Sequence, residues 1–236
     1  MGTWTSYSLS DFLLFSLHTY QRLFELHNAA WWPVHFVAAA IGLVVLYLHV
    51  KPSLAGDRIL FGLLAVVWIW LAWAFFWGRY QPINWTAIHV IPVIAALACL
   101  LGWLALRPTR RLIDPQPGMR WITCGLLLFS FVGYPLLGLS LGRSWQGAEY
   151  FGLMPDPTAL ASISLLIFYR GPVIRLAQGL LIIWCAISGV TLWGLGSTTY
   201  FIAPVGAAIA VGAMGVMRLK RLKRLKRLKR LKRLKR

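Results

Sequence analysis

Apolar residues along this chain fall into long continuous runs, not into short alternating stretches. Seven runs of up to about twenty-four residues follow one another: Trp31–Val50, Ile59–Trp77, Ile83–Leu106, Trp121–Gly142, Pro157–Tyr169, Val173–Trp193 and Thr199–Met217. A helix needs about 20 apolar residues to cross roughly 30 Å of hydrocarbon, and six of the runs approach or exceed that length. The fifth has 13 residues and extends backward only through "LMPDP". Continuous runs argue for helices rather than barrel strands, because helices satisfy their own backbone groups in lipid. Residues 8–27 break the pattern. Asp11, Arg22 and Glu25 interrupt them, while Leu9, Phe12, Leu13, Tyr20, Leu23 and Phe24 recur at helical spacing. This segment is expected to form an amphipathic helix, started by a Ser8/Asp11 capping box, in the membrane interface or against the bundle.

The expected fold is therefore an all-α polytopic membrane bundle of about seven transmembrane helices. Residues 1–29 form an amphipathic segment, 30–217 the membrane domain and 218–236 a basic tail. Composition agrees: the 236 residues are 59% hydrophobic with 13 Trp, more apolar surface than a soluble domain of this length would carry. Trp and Tyr crowd the ends of the runs, as in an interfacial aromatic belt. The first residues show no basic n-region or small-residue cleavage site. Cys99, Cys124 and Cys185 lie inside apolar runs without CxxC spacing, and read as small apolar residues rather than metal ligands or disulfide partners.

Charge sets the expected orientation. With seven crossings, one side receives Arg22, Arg79 and Arg143. The other receives Lys51, Arg58, Arg107, Arg110, Arg111, Arg120, Arg170 and Arg175, and then the tail. Positive loops stay cytoplasmic, so the N-terminus is expected outside and the C-terminus inside, in a bacterial inner membrane. Of the 24 Lys and Arg, 13 lie in the Arg-Leu-Lys repeat from Arg218 to Arg236. Each Leu is offset by about 60° from the one before, so the leucines spiral around a helix and make no lasting apolar face. The repeat reads as a tolerated gene repeat or as a clamp on anionic lipid; nucleic-acid binding is the disfavoured reading of the same charge.

Candidate chemistry gathers on the expected outer side. His35 and His89 lie at matching depth in the first and third spans and are candidates for a metal ion or haem, since neutral imidazole suits both. Asn28, Asn84, Asp156 and Thr158 are candidate ligand-binding residues, with Glu149 on the same side. The bland alternatives are hydrogen bonds between helices for the histidines and an N-cap for Asp156, with Pro157 in the first turn. A sharper alternative makes Pro155-Asp156-Pro157 a re-entrant start whose half-helix N-terminus faces a cavity. No carboxylate lies in the middle of a run, and no catalytic motif is present, which leans the chain away from an enzyme.

"VGYPLLGLSLGR…EYFGLMPDPTALASISLLIF", "LFELHNAAWWP" and "QPINW" resemble a bacterial family of uncharacterised multi-pass membrane proteins, some of them labelled transporter permeases. The resemblance covers most of residues 20–210 and leaves out the Arg-Leu-Lys tail. Relatives carry Pro-Cys-Pro-Thr where this chain has Pro155, Asp156, Pro157 and Thr158; any soft-metal role of that Cys would be lost here, and Asp favours harder ions. The leading expectation is a non-enzymatic protein that binds or passes a small solute or ion from an outer-side pocket, with no resident cofactor. The competing expectations are a haem- or metal-binding redox protein using His35 and His89, and an accessory subunit packing on a membrane partner or a second copy of itself.

Overall fold

The computed structural model describes residues 15–107 and 117–234, with side chains for 15–107 and 118–223. The described residues fold into helices α1 (Leu17–Ala30), α2 (Val34–Val50), α3 (Leu54–Trp70), α4 (Ala87–Leu106), α5 (Pro117–Leu128), α6 (Tyr134–Ser140), α7 (Pro155–Leu166), α8 (Pro172–Gly194) and α9 (Ile202–Leu234). Two π-helical segments continue helices without a break: Leu71–Tyr80 after α3 and Phe129–Gly133 between α5 and α6.

α1 carries the amphipathic pattern expected over residues 8–27 but begins only at Leu17. Ser16 caps it by accepting from the Thr19 N–H, and the Ser8/Asp11 box lies outside the described residues. Its buried positions, Tyr20, Leu23, Phe24, His27 and Asn28, form one helical stripe. That stripe docks on the π segment, where Phe24 stacks on Phe75 at 6.0 Å and Tyr20 meets Tyr80 edge-on at 6.2 Å. The chain then bends by 93° between α1 and α2.

Among the described residues, five helices are long and apolar enough to cross a membrane: Leu54–Tyr80, Ala87–Leu106, Gly118–Ser140, Pro172–Gly194 and Ile202–Lys223. Counting the bent α1–α2 pair as one span makes six. Seven spans were expected, and α7 accounts for the difference. At 12 residues it reaches only about 18 Å, and all 12 are buried. It is enclosed by α5, α8, α9 and the Phe129–Gly133 segment. Large apolar side chains instead cover the outside, among them Leu43, Trp73, Trp103 and Trp121. Such a surface suits hydrocarbon and not water.

Contacts divide the bundle into two ends. At one, Arg143 reaches Thr199 and Asn28 reaches Gln146; at the other, Tyr169 reaches Asp57 and Arg120 reaches the Val50 carbonyl. Loop 141–154 and α7 together carry the chain from the Arg143 end to the Arg170 end. Gly152 makes the turn into α7 possible. Its φ is +80°, a conformation L side chains rarely adopt, and a Cβ there would approach Ala38 to 3.3 Å.

Lipid tails are as apolar as leucine, so helix association in a membrane relies on close packing and polar links. α7 has both. Its Thr, Ala and Ser residues let neighbours approach, and Trp68 donates to Ser162 at 3.0 Å. Gln178 donates to the Leu166 carbonyl at 2.9 Å, at the end of the helix, where that carbonyl also accepts from the Tyr169 N–H. His49, bonded to Thr123 at 3.0 Å, ties α2 to α5 in the same way. α9 runs on through the basic repeat to Leu234. Of the three cysteines only Cys185 is buried; Cys124 is half-buried and Cys99 exposed.

Candidate functional site

Asp156 stands in the first turn of α7 but does not cap it. Met154 is the N-cap residue and offers no side-chain bond. The Asp156 carboxylate points sideways and accepts from Trp184 Nε1 at 2.9 Å, from Ser188 Oγ, and from the Tyr134 hydroxyl at 3.4 Å. Counting back from Gly194 at about 1.5 Å per residue, those α8 partners lie roughly 9 to 15 Å inside the bundle. Asp156 is thus buried deep among helices rather than at the loop edge where the sequence placed it, because the loop before it dips inward.

The other candidate ligand residues also make internal bonds. Thr158 accepts from the Gly152 N–H at 2.8 Å and donates to the Met154 carbonyl at 2.7 Å, which fixes the turn into α7. Asn28 donates to the carbonyls of Gln146 and Ala148, at 2.6 and 2.9 Å, and its Oδ1 lies 3.2 Å from His35 Nε2. It fastens the α1–α2 elbow to loop 141–154. Asn84 donates to the Tyr80 hydroxyl and accepts from the Thr86 N–H and hydroxyl, closing the turn before α4.

The two candidate metal-binding histidines have different surroundings. His35 lies against Asn28 and the Tyr150 ring, 5.0 Å away, whereas His89 is exposed on α4 beside Trp85. Among the described residues no group of three or more His, Cys, Asp and Glu is arranged to hold a metal ion. A third imidazole stands out. His27 is fully buried against Phe75, and neither of its ring nitrogens has a hydrogen-bond partner; Nδ1 of His35 has none either.

Around these residues the Arg143 end forms a polar cavity of about 410 Å³ between α1, the start of loop 141–154 and the α8–α9 turn. Gln21, Glu25, Arg143, Ser144, Ser197 and Thr199 contribute its polar lining. Arg143 bonds Glu149 at 2.6 Å and Thr199 at 3.2 Å, and the side chains of the ion pair are only 10% and 6% exposed. Burial, and secondarily the charge of Asp156, push the Glu149 carboxyl up to about 7, against the pull of Arg143. A buried guanidinium and a carboxyl poised near neutrality, next to a hydroxyl-lined cavity, can hold a small polar solute or exchange a proton with one.

Sequence reasoning grouped Glu149 with the outer polar residues but missed its partner Arg143, and Thr199 as the second partner of Arg143. The signal was the pairing of a lone Arg and a lone Glu in one short loop of an acid-poor chain.

No curated protein and no solved structure matches this chain. The resemblance drawn from sequence left out the Arg-Leu-Lys repeat, whereas the family match includes the repeat as far as residue 227. The chain belongs to DUF6064, a family of unknown function, whose sequence model matches residues 17–227.

Proposed function

We propose that this membrane protein is non-enzymatic and binds or passes a small polar solute or ion at the Arg143 end, with that end outside a bacterial inner membrane and the C-terminus in the cytoplasm. The observation that carries this reading is the 410 Å³ polar cavity with the buried Arg143–Glu149 pair beside it. Ionisable groups buried in a membrane bundle are expensive and mark ligand or proton paths more often than bulk packing. The ligand-binding role moves from Asn28, Asn84, Asp156 and Thr158 to polar residues that line the cavity, Gln21, Glu25, Ser197 and Thr199, while the Arg143–Glu149 pair holds its wall. None of the first four lines the cavity. No observation favours a haem or metal held jointly by His35 and His89. The orientation rests on the concentration of Lys51, Arg58, Arg107, Arg120, Arg170, Arg175 and the tail at one end.

The test is a thermal-shift screen of the purified full chain against amino acids, sugars, carboxylates and inorganic ions. A solute that raises the melting temperature of the wild type, and does so far less in Thr199→Val, supports the reading. A flat response across all four classes speaks against it. Fusion of a reporter active only in the cytoplasm after Arg236 checks the orientation: an active fusion is expected, and an inactive one would exchange the two ends.

A further inference from the structure

At the opposite end a second cavity, of about 380 Å³, opens between the turn after α7, the first turn of α8 and α9. Val211, Met214 and Met217 make one wall apolar. Arg170, Arg175 and Arg218 make the rim basic, and no carboxylate is among the described residues that line the cavity. Among the described residues none of these three arginines has an ion-pair partner. Burial, then the positive charges of Arg221 and Arg218, hold the Arg170 guanidinium below its usual value. Gly171, the N-cap residue of α8, lines the same cavity. α8 has neither a side-chain cap nor an acidic residue in its first turn, so its free N–H groups and positive dipole end add to the field of the arginines.

Three cations on one rim with no ion-pair partner among the described residues repel each other, and a shared anion relieves that repulsion. A freely soluble anion has no use for the apolar wall. That wall continues onto the outward face of α9, where Val211 and Val216 are 44% and 43% exposed, to where acyl chains would lie. We infer that this cavity is a binding site for an acidic phospholipid, its phosphate held by Arg170, Arg175 and Arg218 and its chains laid along Val211 and Met214. Basic pockets between membrane helices at a headgroup level take such lipids. The site is separate from the clamp considered for the repeat, since two of its three cations precede α9.

The test uses the full chain, repeat included, in a zwitterionic detergent. Short-chain phosphatidylglycerol, short-chain phosphatidylcholine and inorganic phosphate are titrated in separate arms, read by thermal unfolding and native mass spectrometry. Phosphatidylglycerol should raise the melting temperature and stay bound as a one-to-one adduct, and phosphatidylcholine should do neither. In R170Q/R175Q the apparent affinity for phosphatidylglycerol should fall by roughly tenfold to thirtyfold. Lys51→Gln, which removes a cation outside the cavity, should change it less than about twofold. Should the double variant not fold, exposed Arg175 provides R175Q alone, with a loss of about fivefold. Undiminished binding in these arginine variants would assign the lipid to the repeat and overturn the proposal. An equal response to phosphatidylcholine would also overturn it, and stabilisation by inorganic phosphate at the same concentration would make the site one for a free anion.

Discussion

The two ends of the bundle treat their arginines in opposite ways. At the Arg143 end the guanidinium is nearly buried, paired with Glu149 and bonded to Thr199. At the Arg170 end Arg170, Arg175 and Arg218 share a cavity rim with no carboxylate among the described residues of its lining. The chain has only six acidic residues against 24 basic ones, so where the carboxylates lie decides which cations are structural. Glu149 and Asp156 both serve the loop–α7 crossing. The first type of arginine holds the fold together; the second is free to hold something else.

The largest effect should come from removing Arg143 alone. Arg143→Met leaves Glu149 buried without its cation, and the loss should be about 3–5 kcal/mol in reversible unfolding in detergent. Replacing both partners, R143M/E149M, should be markedly milder, because no charge is then stranded. Acid should reduce the cost of the single change. Glu149, raised to about 7, is protonated below that pH in the folded state, so the penalty for losing Arg143 should be small near pH 5 and grow as pH rises through 7. A pH-independent penalty would show that the pair is not coupled as described.

Asp156→Ala comes next. It strands donors on Trp184, Ser188 and Tyr134 inside the bundle and should destabilise by about 2–4 kcal/mol, with Asp156→Asn milder because its amide oxygen still accepts. Gly189→Ala tests the α8–α9 contact that positions the Ser197–Thr199 turn. A Cβ there would meet Pro204 Cγ at 2.3 Å and the Tyr200 carbonyl at 3.0 Å, so the helices must separate at about 1–3 kcal/mol. The smallest effect belongs to His27. With no hydrogen bond to lose, His27→Phe should be neutral or slightly stabilising; loss of a solute-induced shift in that variant would instead bring His27 into the binding site.

Much of this architecture was legible in the chain, for reasons that differ by element. The α1 stripe at Tyr20, Leu23, Phe24 and His27 follows a local period, and local periods survive folding. The fifth run was legible as a short helix at Pro157–Tyr169, though counted as a crossing; at 12 residues α7 reaches only about 18 Å. The surroundings of Asp156 were not legible. Its partners Trp184 and Ser188 lie 28 and 32 residues away, and only the enclosure of a short helix by α5, α8 and α9 brings them together. Proline beside Asp is a sound N-cap signal, yet a buried carboxylate with three tertiary donors gains more from them than from one helix N–H. The different surroundings of His35 and His89 have a similar origin. Equal depth in two spans says nothing about which faces the helices turn toward each other, and His89 turns outward.

The central claim is that cations at one end are structural and those at the other are held for a ligand. It is tested most directly by measuring the unfolding temperature of Arg143→Gln and Arg175→Gln side by side, with and without phosphatidylglycerol. The account expects Arg143→Gln to lose stability equally in both conditions. It expects Arg175→Gln to match the wild type without the lipid and to fall short of it only when the lipid is present. Equal losses in the two variants, or an Arg175→Gln deficit that ignores the lipid, would contradict it.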